Sequence, residues 1–311
     1  MRLKSMLLPA LRTLAIALLA LFAQSVFLPA DVQAGRFQPV SGVTTFEGEF
    51  TISGQRRRVL YVRPVANPAG LAPAIVVLHY AGGDSEEMAN LIEIGQLVRD
   101  TGVWAILPNS RGRNWAFDPV ADRNGPDDVG LITRVIDNLV AAYPIDARRI
   151  YLTGFSSGGF MTQRYVCERS ERVAAAAYVS STLLDSLRKV CKPSLPTPML
   201  GMHGNRDPKV SYNKKAGLSS APDTALFFAN INRCLTPPLR SNLPNIVNDG
   251  TTVLLDSYDR CAAPQPVNFY TIDGGGHTWP GNHYQLGFAG RTTQDIDATR
   301  VIWDFVSNYS R

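Results

Sequence analysis

Of 311 residues, only four are histidine and four are cysteine. No two cysteines form a C-x-x-C pair, so the usual zinc spacing is missing and no metal site or cofactor is expected. Low-complexity tracts are absent, and apolar residues make up an ordinary 45%, as in a globular protein. Internal repeats are absent too, which weighs against the propeller that large serine peptidases carry. Charge of one sign is scarce. The formal net charge is +5, and without the three bases and one acid of residues 1–34 it falls to about +3. So mild an excess argues against nucleic acid as a partner, and Arg56, Arg57 and Arg58 read as an exposed strand face.

A long hydrophobic run occurs once, at residues 14–28, after Arg2, Lys4 and Arg12. It is too short and too weakly flanked for a stable membrane span. Val32 and Ala34 then supply the small residues at −3 and −1 of a cleavage site. Residues 1–34 are therefore expected to be a signal peptide, with an uncleaved signal anchor as the alternative. No cysteine follows the site, so no lipid anchor is expected. The mature chain, residues 35–311, has the length of one large α/β domain, secreted or periplasmic. In an oxidising compartment an even cysteine count reads as two disulfides. Three pairings are open; the local ones, Cys167–Cys191 and Cys234–Cys261, are preferred. Each closes a loop of about 25 residues, worth about 3 kcal/mol if chain entropy dominates.

Residues 46–52 and 57–63 alternate apolar and polar side chains around a turn at Ser53, Gly54 and Gln55, which predicts an antiparallel hairpin at a sheet edge. Residues 74–78 and 103–107 are continuous apolar runs, the mark of strands covered on both faces. A helix follows the first, capped by Asp84 or Ser85, with Met88, Leu91, Ile92, Leu97 and Val98 at helical spacing. Another follows the second, opening near Pro126 with Asp127 and Asp128 at its positive end. The acids between Asp118 and Asp128 read as caps rather than a calcium site. Further strands are expected at 149–155, 174–179, 199–202 and 267–272, and helices after Gly158, near 224–233 and over 297–309. The loops between 208 and 261 resist assignment. Strands alternating with helices imply an α/β fold: a mostly parallel sheet with helices on both faces and an N-terminal antiparallel hairpin. In such sheets the working residues sit on loops at the carboxyl ends of the strands.

Gly154-Phe155-Ser156-Ser157-Gly158 joins the strand at 149–155 to a helix, the pattern of a nucleophile elbow. Of its two serines only Ser156 has glycine at both −2 and +2. A serine hydroxyl needs a base to take its proton, and the base needs a carboxylate to fix its tautomer. In this strand–helix arrangement the order is Ser, acid, His. His277 follows the last strand in a glycine-rich loop, ahead of His283 as the base. Asp207 follows the strand at 199–202 and is the expected acid. Two backbone donors are needed for the oxyanion: Ser157 at the start of the elbow helix, and Ala81 or Tyr80 in the turn after residues 74–78. His79 and His203 end strands and read as hydrogen-bonding scaffold. Trp115 and Trp279 lie on loops at the same end of the sheet and are candidate pocket walls. Trp303, on the last helix, reads as core.

With these residues in place the chain resembles the secreted polyhydroxybutyrate depolymerase-like esterases, a family that also includes feruloyl and acetylxylan esterases. The resemblance is carried by residues 79–83, 127–129, 143–146, 149–151, 154–159, 203–207, 274–281 and 297–305. Gly274-Gly275-Gly276-His277-Thr278-Trp279-Pro280-Gly281 is the most specific of them. It implies an α/β-hydrolase fold, Ser156, Asp207 and His277 as triad, and Ala81 with Ser157 as oxyanion hole. It also implies a 234–261 bridge bracing the histidine loop. One departure is Tyr80, where the family has glycine; a tyrosine there would reshape the acyl side of the pocket. A linker and separate polymer-binding module are absent. The expectation is an exported serine carboxylesterase acting on hydroxyalkanoate oligomer or polymer esters. The alternative is a feruloyl or acetylxylan esterase on plant polysaccharide. From another class, a non-catalytic envelope binding protein would retain the fold but need no triad.

Overall fold

Period-2 burial builds the centre of the molecule. In the computed structural model, which describes residues 36–66, 69–283 and 289–311, every residue of β3 (Ala72–Leu78) is buried. Ala74, Val76 and Leu78 face one apolar cluster, whereas Ile75 and Val77 face another. A strand buried on both sides must have helices on both sides. The expected signal peptide, residues 1–34, and the start at Gly35 lie outside the described residues. Among the described residues, no helix is long and apolar enough to cross a membrane.

The hairpin consists of β1 (Val43–Ile52) and β2 (Gln55–Pro64), paired antiparallel from Val43↔Pro64 to Ile52↔Gln55. Its turn is the two residues Ser53 and Gly54, both at positive φ. Helices α1 (Ser85–Leu91) and α2 (Ile94–Thr101) follow β3, and β4 (Trp104–Pro108) leads to α3 (Asp128–Ala142). Next come β5 (Ile145–Phe155), α4 (Ser157–Arg169), β6 (Ala175–Val179), α5 (Asp185–Val190) and β7 (Met199–Gly204). The chain closes with α6 (Ala221–Ile231), β8 (Leu239–Asn242), β9 (Thr252–Tyr258), β10 (Val267–Asp273) and α7 (Ala298–Val306). The sheet order is β1-β2-β4-β3-β5-β6-β7-β10-β9-β8. The strands from β4 through β3, β5, β6 and β7 to β10 run parallel, and the antiparallel strands are confined to the two ends. One face is covered by α3, α4, α5 and α6, the other by α1, α2 and α7.

Several local expectations change. The single helix after β3 is two: Glu93 takes φ 50° between α1 and α2, and Asp84 caps the first by accepting from Glu86 and Glu87 N–H. Helix α3 starts at Asp128 with Asp127 as its cap, so Pro126 stands before the helix. Arg56 and Arg58 are exposed, but Arg57 points to the other face of β2, where it is 4% exposed and pairs with buried Asp128. Alternation along a strand sends neighbours to opposite faces, so a run of three arginines is not one patch. The unassigned 208–261 stretch contains α6 and the antiparallel pair β8–β9, which extends the sheet beyond β10.

The sulfur pairs are Cys167–Cys191 and Cys234–Cys261. The first ties the end of α4 to the end of α5. The second does not brace the histidine loop. Cys261 precedes β10 and His277 follows it, and seven strand residues span about 20 Å. The bridge therefore closes the opposite end of the sheet, where α6 leaves it.

Candidate active site

The carboxyl ends of β3, β5, β7 and β10 bring together the residues that the sequence singles out. At the β5–α4 junction Ser156 takes φ 54°, ψ −116°, a conformation that costs a non-glycine residue about 1–3 kcal/mol. Its N–H is held by the Val179 carbonyl at 2.9 Å. The motif glycines follow from close approach. A Cβ on Gly154 would lie 2.3 Å from the Gly158 carbonyl carbon and oxygen, and one on Gly158 would lie 2.2 Å from the Leu78 carbonyl oxygen. No side chain fits at either place, so the elbow can press α4 against the end of β3 only with glycine.

Ser156 Oγ is 2.9 Å from His277 Nε2, and His277 Nδ1 is 2.7 Å from Asp207 Oδ2. A carboxylate can only accept, so Nδ1 carries the proton and Nε2 is free to accept from the serine hydroxyl. Asp207 has no exposed side-chain surface, and its Oδ1 accepts from the Lys209 and Val210 N–H groups at 2.8 Å each. Burial works to raise the Asp207 pKa, but electrostatic attraction to the His277 ring and the hydrogen bond from its Nδ1–H outweigh it, helped by His203 and the Val210 N–H. The carboxyl is held below its ordinary value and stays ionised.

The loops after β7 and β10 interlock. A Cβ on Gly204 would lie 2.4 Å from the Gly275 carbonyl oxygen, and Arg206 N–H donates to that oxygen at 2.9 Å. His277 is fixed from behind by its own N–H, which donates to Ala289 O at 2.6 Å. Its ring lies 5.2 Å from that of Phe155. His203 is buried beside this pair: Nε2–H donates to Val210 O at 2.9 Å, and Nε2 lies 3.4 Å from Asp207 Oδ2. Burial lowers its pKa more than Asp207 raises it, so the ring is neutral. His283, the residue passed over as base, makes none of these contacts.

Ser157 opens α4, where the first N–H groups have no intrahelical partner. Ala81 sits in the turn after β3, whose closing bond runs from Gly83 N–H to Tyr80 O at 3.0 Å with Gly82 at φ 82°. Among the described residues the Ala81 N–H donates to nothing. The contact between Gly158 and the Leu78–His79 backbone keeps this turn beside the start of α4.

The three pocket candidates divide. Tyr80 is half-buried, edge-on to Phe155 with ring centroids 5.7 Å apart, and thus two rings away from His277. Trp115 and Trp279 are not pocket walls. Trp115 is 1% exposed, its Nε1–H donating to His79 O at 2.8 Å. Trp279 is 3% exposed, donating to Thr299 Oγ1 at 3.0 Å and packing edge-on against Phe155. Both anchor the loops they belong to, as a large amphipathic ring with one donor does when its N–H finds a buried acceptor. Trp303 is partly exposed and stacks edge-on with Tyr151. Sequence reasoning missed Phe155 as the ring beneath His277. Its only signal was its place inside the elbow.

A family model described as Phospholipase/Carboxylesterase matches residues 117–231. The protein NocK of Nocardia uniformis subsp. tsuyamanensis, named as an esterase provisionally, is 28% identical over 89% of this chain and 88% of its own length. Feruloyl esterase B of Piromyces equi is 26% identical over 66% of this chain. The bifunctional acetylxylan esterase/xylanase XynS20E of Neocallimastix patriciarum is 25% identical over 81%. The chain spans 39% and 33% of the lengths of these last two. A solved thermostable esterase superposes with TM-score 0.55 at 17% identity, covering 86% of this chain and 63% of that one. At that identity the likeness is one of fold, that of the α/β-hydrolases.

Proposed function

We propose that this chain is a carboxylesterase of the α/β-hydrolase fold in which Ser156, His277 and Asp207 hydrolyse carboxylic esters through an acyl-enzyme. The observation that carries this reading is the continuous relay from Ser156 Oγ to His277 Nε2 and from His277 Nδ1 to Asp207, at 2.9 and 2.7 Å. The serine hydroxyl attacks the ester carbonyl as Nε2 takes its proton. The new C–O bond puts negative charge on the former carbonyl oxygen, which the N–H groups of Ala81 and Ser157 receive. Collapse breaks the bond to the alcohol, and His277 returns the proton to that leaving oxygen. Water then enters by the same route, its proton going to Nε2, and releases the acid. Asp207 holds the imidazole in the required tautomer and stabilises the imidazolium.

For the substrate, acyl esters of plant polysaccharide are favoured over hydroxyalkanoates. The relatives named for a substrate carry ferulate or acetylated xylan in their names. Residues 35–311 would act as one exported domain. Two disulfides support a compartment outside the reducing cytoplasm.

The test is hydrolysis of p-nitrophenyl acetate by the protein and by Ser156→Ala. The variant is expected to lose at least about 10³-fold in kcat; equal rates would end the reading. Methyl ferulate, acetylated xylan and 3-hydroxybutyrate oligomers, compared by kcat/KM, then rank the substrate classes, and a preference for the oligomers would put hydroxyalkanoates ahead of polysaccharide esters.

A further inference from the structure

The turn that carries Ala81 is held by a side chain outside the Ser156 relay. We propose that His79 is a positioning residue that aims the Ala81 N–H at the oxyanion, an inference resting on the assignment of Ala81 as an oxyanion donor. His79 ends β3 and is 1% exposed. Its Nε2 lies 3.0 Å from the Ser110 backbone nitrogen, and its Nδ1 lies 2.8 Å from the Tyr80 carbonyl oxygen. A backbone N–H can only donate and a carbonyl can only accept. Nε2 is therefore the acceptor, Nδ1 carries the proton, and the tautomer is fixed by two partners that have no alternative role.

The consequence lies one bond further on. The Tyr80 carbonyl and the Ala81 N–H belong to one planar trans peptide, so they point in opposite directions. Whatever holds the carbonyl also sets the direction of the N–H. Two donors hold it: Gly83 N–H, which closes the turn, and His79 Nδ1–H. Gly82 N–H, at the corner of the turn, donates to Arg113 O at 2.7 Å, but that bond fixes the following peptide and leaves the Tyr80–Ala81 plane to Gly83 and His79. The imidazole fixes that plane. It also polarises the peptide, since a bond accepted at the carbonyl strengthens donation from the N–H on the same unit.

His79 itself has little freedom. Trp115 donates to its carbonyl at 2.8 Å and lies 5.0 Å from its ring. Ser110 and Trp115 both belong to the loop after β4, which Arg57 and buried Asp128 hold through Asn109 O and Ala116 N–H. The titratable and charged groups facing His79 are Asp84 from the start of α1, Arg113 from this loop and Arg57 from β2. Preorganisation of this kind matters because an oxyanion donor works by needing no reorientation when charge develops.

Two substitutions separate the two bonds of the ring. Asparagine puts an amide N–H where Nδ1 stands, so His79→Asn keeps the bond to Tyr80 and loses the one to Ser110. Glutamine reaches the Nε2 position, so His79→Gln keeps the acceptor for Ser110 and loses the donor to Tyr80. With p-nitrophenyl acetate, His79→Gln is expected to lower kcat about tenfold with KM little changed. His79→Asn is expected to stay within about threefold of the parent although its Tm falls. Ser110→Pro serves if either His79 variant fails to fold. Ser110 has φ −69°, which proline accepts, so the change removes the N–H donor together with a buried hydroxyl that has no hydrogen-bond partner. It is expected to lower Tm and leave kcat in place. The inference is overturned if kcat follows Tm across the three variants, if His79→Gln retains parental kcat, or if its loss lies entirely in KM. Failure of Ser156→Ala to abolish activity is a different result and would remove the esterase reading itself.

Discussion

Gly158→Ala tests the elbow at the point where packing and chemistry meet. An added Cβ would lie 2.2 Å from Leu78 O, 2.6 Å from Leu78 C and 2.7 Å from His79 O. These are backbone atoms of a fully buried strand and its end, so no side chain can swing aside. Contacts of this kind essentially never fall below 3.0 Å, so the start of α4 and the end of β3 must separate by about 0.8 Å. Overpacking of one methyl in a tight site costs about 1–3 kcal/mol, or roughly 3 °C of Tm per kcal/mol in a chain of this size. The catalytic loss should be larger. The two sides forced apart carry Ser157 and Ala81, and a misplacement near 1 Å can cost about 10²-fold in rate. Thermal unfolding and p-nitrophenyl acetate kinetics on the same preparation give both numbers. A variant with Tm lowered by a few degrees and kcat/KM lowered about a hundredfold fits the close approach. Parental kcat/KM in Gly158→Ala would refute it.

Three other outcomes follow from buried charge and cross-links. Burial pushes His79 down to about 4 from 6.5, against the bond to Tyr80 and the pull of Asp84. The unfolded chain therefore binds a proton between these values that the folded one refuses. Stability is full above pH 6.5 and falls by about 3 kcal/mol as pH drops towards 4; His203, shifted the same way, adds to the slope. Urea midpoints at pH 7.5 and 4.5 measure this, and His79→Asn should flatten it; an unchanged slope would show that His79 is not its source. Replacing Cys234 and Cys261 by serine opens a 27-residue separation and should cost about 3 kcal/mol, with kcat retained because the bridge lies at the far end of β10; a collapse of kcat in a folded variant would contradict that placement. Arg57→Ala leaves Asp128 buried without its cation and should cost about 3–5 kcal/mol in denaturant unfolding, whereas a loss below 1 kcal/mol would mean that water replaces the guanidinium.

Much of this molecule could be read along the chain because its signals are local. Continuous apolar runs mark β3 and β4 as strands covered on both faces, and β5, β6, β7 and β10 lie at the strands expected at 149–155, 174–179, 199–202 and 267–272. The elbow also announces itself, because Gly154 answers a contact made within five residues, with Gly158, although Gly158 itself answers one with Leu78 that only the fold supplies. Less local signals misled. Trp115 and Trp279 sit on loops at the working end of the sheet, yet both are buried, because the acceptors for their N–H groups, His79 O and Thr299 Oγ1, are supplied by other elements. Arg57 looked like one of three surface arginines until its partner 71 residues away came into view.

By itself the sequence determined the strand–helix alternation, the glycine positions of the elbow and the order serine, acid, histidine. These depend on hydrophobic period and on steric limits inside short segments. Only the tertiary structure decided that Ser156, His277 and Asp207, separated by up to 121 residues, stand within 3 Å of one another in series. It also decided that Phe155 lies beneath the imidazole and that the Tyr80 peptide is held from His79. Those facts depend on how parallel strands align their carboxyl ends across the sheet. No residue carries that register in its neighbours, because it is set by the packing of both faces at once.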